Sequence, residues 1–135
     1  MRPFRPQALE RYAESEFFPR LGPGERVWRY TVVVPMEEVR PRKRQKATTE
    51  DLDNLELMLV GHFGGLGIGA PSTGFGLRDP SVRGVEPEMN VNIAYVVYAT
   101  AIRKADTYFK ALQTELQKAL DEGVILIERQ EVWLV

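Results

Sequence analysis

Between Met58 and Gly76 the chain reads MLVGHFGGLGIGAPSTGFG, which holds seven of the eleven glycines and the only histidine, His62. Glycine loses more conformational freedom on folding than any other residue, so a regular element does not run through so dense a cluster without a reason. The segment begins as an apolar run and ends as a loop with exposed backbone. It therefore closes one helix and separates two halves of the chain, each with its own strand and helix patterns.

The elements on either side follow from periodicity. Residues 7–18 place Leu9, Tyr12, Ala13 and Phe17 near one helical face before Pro19 and Gly22-Pro23-Gly24, which predicts a short N-terminal helix and a loop. Residues 26–34, RVWRYTVVV, are β-branched and aromatic and predict a strand ending at Pro35. A loop over 35–47 carries the basic run RPRKRQK. Thr48 or Thr49 then caps a helix with Glu50, Asp51 and Asp53 in its first turn and Leu52, Leu55, Leu59 and Phe63 at helical spacing. Gly64-Gly65 ends it. Within 66–88 an irregular strand is expected at 74–78, resuming near 83–85. Residues 90–100, NVNIAYVVYAT, predict a strand. Residues 104–122 carry an apolar stripe of Ala105, Tyr108, Phe109, Leu112, Leu116, Ala119 and Leu120 and end at Gly123. A last strand covers 124–135, with a bend near Arg129-Gln130.

The order is β-α-β-β-α-β after an N-terminal helix. That is an α+β, ferredoxin-like pattern: an antiparallel four-stranded sheet with two helices on one face. Residues 1–135 are one domain, with 1–25 as the N-terminal helix and loop. Neither face of the predicted strands at 26–34 and 90–100 is clearly polar. A sheet with one solvated face alternates more cleanly. The second face is therefore expected to be covered by the N-terminal helix, a second subunit, or both, and a homodimer is the expected assembly.

Composition excludes several function classes. There is no cysteine, so disulfides, thiol catalysis and zinc–thiolate sites are ruled out. The net charge is −1, so attraction to nucleic acid must come from a local patch. The longest nearly uncharged stretch, 57–77, is too rich in glycine for a membrane helix, and no targeting segment is visible. A cytoplasmic protein without membrane association is the expectation.

In its layout the chain resembles small ferredoxin-like proteins of unknown function, in which FGG follows the first long helix and a Gly-x-Gly or Gly-x-Trp strand comes after it. The matching residues are Phe63-Gly64-Gly65 and Gly74-Phe75-Gly76, within a resemblance covering roughly residues 27–135. The resemblance implies the fold and transfers no activity or catalytic residue.

Candidate chemistry gathers in two places. Arg40, Arg42, Lys43, Arg44 and Lys46 set five cations within seven positions ahead of a helix N-terminus, a pattern suited to phosphate contact. The same run also fits a solvated loop balanced by Glu37, Glu38, Glu50, Asp51 and Asp53. Gly64, Gly65, Gly67, Gly69, Ser72 and Thr73 form the second place, where exposed backbone N–H groups suit an anion. Residues 69–74 fit G-x-x-x-x-G but lack the lysine of a P-loop, and GxGxxG is absent. His62 is the one candidate general acid–base, and it also fits a helix-terminal histidine bonded to the last carbonyls. No second histidine supports a metal site, and no cofactor is implied. The first expectation is a non-catalytic homodimeric protein that binds a phosphate-bearing ligand, nucleic acid or nucleotide, through 40–46 and 64–76. The alternatives are a small His62-dependent enzyme of phosphodiester hydrolysis and a structural assembly subunit.

Overall fold

Thr48 sets the start of the first helix. In the computed structural model, which describes residues 3–14, 17, 24, 26–40, 44–76, 87–100, 102–120 and 125–135, its hydroxyl accepts from the Asp51 N–H at 3.0 Å. Helix α1, Thr49–Phe63, follows, with Glu50 and Asp51 in its first turn. It ends where Gly64 takes a left-handed φ of 81° and donates its N–H to the Val60 carbonyl at 2.8 Å. An L-residue with a side chain is strained there, so this glycine is required by backbone geometry. Helix α2, Ile102–Leu120, buries the stripe that periodicity predicts, from Ala105 to Leu120. Residues 122 and 123, expected at its end, lie outside the described residues.

The sheet is antiparallel and larger than the four strands expected. It comprises β1 (Arg26–Arg40), β2 (Arg44–Gln45), β3 (Gly67–Ile68), β4 (Ser72–Gly76), β5 (Glu88–Ala99) and β6 (Leu126–Trp133). β1 and β5 pair from Trp28↔Ala99 to Arg40↔Met89 and form its centre. Outside β1 lie β6, along 26–33, and β2, at Glu37 and Glu38. Outside β5 lie β3 and β4.

β1 does not stop at Pro35 as expected. It continues to Arg40, with register shifts between Pro35 and Glu37 and between Glu38 and Arg40. Proline cannot donate to the ladder, and an irregularity lets the strand pass it without ending. The strand expected at 74–78 begins earlier, at Ser72, and the stretch expected at 83–85 lies outside the described residues.

Alternation on the central strands sets the layers. Tyr30, Val32, Tyr95 and Val97 are buried beneath the helices in one core with Leu55, Leu59, Phe63, Tyr108, Phe109, Leu112 and Leu116. Aromatic rings form its middle: Phe63 stacks on Phe17 at 5.0 Å, and Tyr108 meets Phe63 edge-on at 5.1 Å. The N-terminal helix is a 3₁₀ segment, Pro6–Tyr12, shorter than the 7–18 expected. It packs against α2 and α1 and adds Leu9 to the core, so it does not cover the second sheet face. On that face Thr31, Val33, Ala94 and Val96 stay partly exposed, and Leu126 is 49% exposed. No helix among the described residues is long and apolar enough to cross a membrane.

Leu112 and Leu116 are 0% and 2% exposed. Their replacement by alanine is expected to cost about 2–5 kcal/mol each, read by urea denaturation. A loss under about 0.5 kcal/mol at both would mean that α2 packs on a different face.

Candidate functional site

Register brings the site together from three distant parts of the chain. On β1, Tyr30 pairs with Arg129 of β6, so both side chains rise from the same face of the sheet toward α2. α2 crosses above them and presents Asp106, about one turn into the helix. The Tyr30 hydroxyl donates to Asp106 Oδ1 at 2.6 Å and also lies 3.3 Å from the Ile102 carbonyl. The Arg129 guanidinium donates to the other carboxylate oxygen of Asp106 and lies 5.2 Å from the centre of the Trp28 ring.

Tyr30, Asp106 and Arg129 line an open cleft of about 300 Å³ between α2 and β6, together with Phe109, Lys110, Ile127 and Glu128. Phe109 stacks on Tyr30 at 4.2 Å, so the floor of the cleft is continuous with the aromatic core. Burial is the main reason that the Tyr30 hydroxyl ionises far above its ordinary range, and the neighbouring Asp106 carboxylate adds to it. Tyr30 is therefore a fixed donor at neutral pH. Asp106 and Arg129 are 33% and 43% exposed at their side chains, which leaves part of each charge open to a ligand. The cleft thus offers two carboxylates, two cations, a fixed hydroxyl and aromatic surface within one small volume.

The residues singled out from sequence fall elsewhere. Lys46 is buried, with Nζ 3.1 Å from the Glu38 carboxylate. Arg40 is exposed at the end of β1, while Arg42, Lys43 and the Arg44 side chain lie outside the described residues. Arg44 and Gln45 pair with the outer edge of β1, whereas Thr73 and Gly74 pair with the outer edge of β5. Two strands, roughly 14 Å of sheet, separate them. The basic run and the glycine segment do not share a cavity among those described.

The glycine segment is exposed over Gly64, Gly65, Gly67, Gly69, Ser72 and Thr73. Its N–H groups are partly engaged in the sheet: Gly67 and Ile68 pair with β5, and the Gly69 N–H donates to the Ala94 carbonyl at 2.9 Å. A Cβ at Gly74 would lie 2.9 Å from Asn92 Nδ2, so a larger residue there requires the Asn92 side chain to shift. Helix capping and edge pairing thus account for much of the cluster.

His62 does not bond the last carbonyls of α1. Its Nδ1 lies 2.7 Å from the Tyr108 hydroxyl and its Nε2 lies 3.4 Å from Glu10. A carboxylate can only accept, so Nε2 carries the proton in the neutral ring and Nδ1 accepts from Tyr108. The ring therefore links α1, α2 and the 3₁₀ helix, and both of its nitrogens are engaged.

Sequence reasoning placed Tyr30 only within the strand at 26–34 and gave no site role to it, to Asp106 or to Arg129. The only local signal was a lone aspartate on the flank of an otherwise apolar stripe. The contact itself depends on residues 23 and 76 positions apart.

Taken together, the molecule is an α+β protein with an antiparallel sheet, a helical layer on one face and a polar cleft at the α2–β6 flank. Protein-family models and curated proteins give no match. Among solved structures, a phage SAM lyase in complex with S-methyl-5'-thioadenosine is similar, with a TM-score of 0.59 and 16% identity over 87% of this chain and 88% of that one. At that identity the likeness concerns the fold.

Three tyrosines, Tyr30, Tyr95 and Tyr108, have hydroxyls whose ionisation is raised, in each case chiefly by burial. The unfolded chain releases these protons near pH ~10 and the folded chain holds them, so stability is full below that pH and falls above it. Thermal melts from pH 8 to 11 should show that decline. A melting temperature that rises through the same window would contradict the burial of these hydroxyls.

Proposed function

We propose that this chain is a ferredoxin-like binding protein whose α2–β6 cleft takes a small molecule with both a positive and a negative group beside an aromatic ring. The Tyr30–Asp106–Arg129 chain carries this assignment. Asp106 would receive the ligand's cation, Arg129 and Lys110 its anion, and the aromatic surface of Tyr30 and Phe109 its ring. The fold assignment is supported by the lateral order β6, β1, β5, β4, which places the outer strands of two βαβ halves beside a central antiparallel pair. The fold likeness to the phage SAM lyase gives the first ligands to test, S-adenosylmethionine and S-methyl-5'-thioadenosine. The former carries an ammonium, a carboxylate, a sulfonium and an adenine ring, the charge pattern that the cleft matches.

Calorimetric titration with both ligands tests the assignment. Wild type should bind S-adenosylmethionine, and Asp106→Asn and Arg129→Met should each weaken binding about tenfold or more, with folding checked by thermal melts. Equal binding by all three proteins, or none by wild type, would contradict it. Chromatography of the same mixtures reads whether the ligand is also turned over.

The working unit in this proposal is a homodimer. Its support is the partly exposed strip of Val33, Ala94, Val96 and Leu126 that the 3₁₀ helix leaves open. Light scattering should give twice the 15.4 kDa chain mass. A Val96→Glu variant should fall to the monomer mass, because a carboxylate buried at an apolar contact is costly. A wild-type monomer at every concentration would contradict the dimer.

A second reading rests on the exposure of Arg40, which leaves the end of β1 open to phosphates. Here the basic run binds nucleic acid with little sequence preference, and affinity falls steeply with salt. Reversal of Arg42, Lys43 and Arg44 to glutamate should flatten that salt dependence. Unchanged binding in the triple variant would reject it.

A further inference from the structure

We infer that the outer edge of β6 pairs antiparallel with β6 of a second copy, in a register centred on Gln130, and that this seam brings two side chains of that copy to the α2–β6 cleft. The inference rests on the homodimer reading above and states where the two sheets join. β6 is eight residues long and contains neither proline nor glycine. Among the described residues, no backbone group outside β1 bonds to it. Its side chains from Glu128 to Glu131 are exposed, and Leu126 and Trp133 at its two ends are 49% and 62% exposed. The outer row of N–H and carbonyl groups is therefore an open template for another strand.

Charge on an edge strand ordinarily discourages pairing, but the charges of β6 are self-complementary. Arg129 rises toward α2 and side chains alternate along the strand, so odd-numbered residues share the helical face. A seam that keeps both helical layers on one side of a continuous sheet sets odd-numbered residues opposite odd-numbered ones. In a two-fold symmetric seam one residue then faces its own copy at the axis. A centre on Glu128, Arg129 or Glu131 would put that charge opposite itself, which is destabilising. A centre on Gln130 puts a neutral amide there and pairs Arg129 with Glu131 of the partner subunit, twice by symmetry. The same register sets Ile127 against Trp133 of the partner subunit and Glu128 against the partner's Val132.

One copy meets both the seam and the open face. Leu126 of β6 pairs with Val33, so the seam is continuous with the partly exposed strip that carries Ala94 and Val96. Two sheets joined along one edge and folded over that strip bury it as a sandwich does, and the seam removes the open edge. On the other side of the sheet, Ile127 and Arg129 line the cleft. Directly opposed residues of adjacent strands have Cβ atoms about 5 Å apart, so Trp133 and Glu131 of the partner subunit stand beside them. Arg129 is then held by Asp106 of its own chain and by the partner's Glu131, and an indole ring extends the aromatic surface of the cleft. The site of one chain is thus completed by the other.

Cysteine cross-linking tests the seam, because the chain has no cysteine of its own. The full chain carrying Gln130→Cys is treated with a mild oxidant and run on a non-reducing gel beside a Glu128→Cys control. In the inferred register the two copies of position 130 lie within disulfide reach, whereas the two copies of position 128 are offset by about 13 Å along the strands. Gln130→Cys should therefore form a covalent dimer and Glu128→Cys should not. Glu131→Lys sets a cation opposite Arg129 at both ends of the seam. It should raise the dimer dissociation constant about tenfold, read by light scattering over a dilution series, with folding checked by thermal melts. Equal cross-linking of the two cysteine variants, none in Gln130→Cys, or unchanged dissociation in Glu131→Lys would overturn the seam. Any of these with a dimeric wild type leaves the homodimer reading standing, whereas a wild-type monomer at every concentration overturns both.

Discussion

Tyr30 joins the two systems on which the molecule depends. Its ring is buried in the sheet core against Phe109, and its hydroxyl bonds Asp106 at the edge of the cleft. The cleft therefore inherits its rigidity from the core. A polar group held by packing on one side and hydrogen-bonded on the other needs little reorganisation when a ligand arrives. The β1–β5 pairing underlies this, because it sets the face on which Tyr30 and Val97 lie together and the position of β6 outside β1. A shift of one residue in that register would turn Tyr30 to the opposite face.

Much of the fold was legible because its signals are local. The stripe on α2 repeats every three to four residues, Thr48 lies just before an acidic first turn, and Gly64 follows the last apolar residue of α1. Each of these is a short-range physical preference that the tertiary structure does not oppose. The end of β1 was misjudged because an irregularity absorbs Pro35 and the strand runs on to Arg40. The extra strands β2 and β3 are two residues each, too short for any periodicity to announce.

The site was less legible. A basic run and a glycine cluster are conspicuous in sequence because their residues are adjacent. Adjacency does not fix where side chains go. Lys46 turns into the interior toward Glu38, and the glycines cap a helix and pair with the edge of the sheet. His62 drew attention as the only histidine, yet its ring links three elements through Tyr108 and Glu10. The groups that converge on the cleft come from β1, α2 and β6, and only the sheet register places them together.

The central claim is that ligand binding localises to the flank formed by α2 and β6. An amide NMR titration of the isotopically labelled chain with S-adenosylmethionine tests this most directly, since it reports on every candidate region at once. The account predicts saturable shifts at Asp106, Lys110, Gln113 and Ile127 to Arg129, with residues 40–46 and 64–76 unmoved. Shifts confined to those two segments, or a spectrum unchanged at saturating ligand, would contradict it.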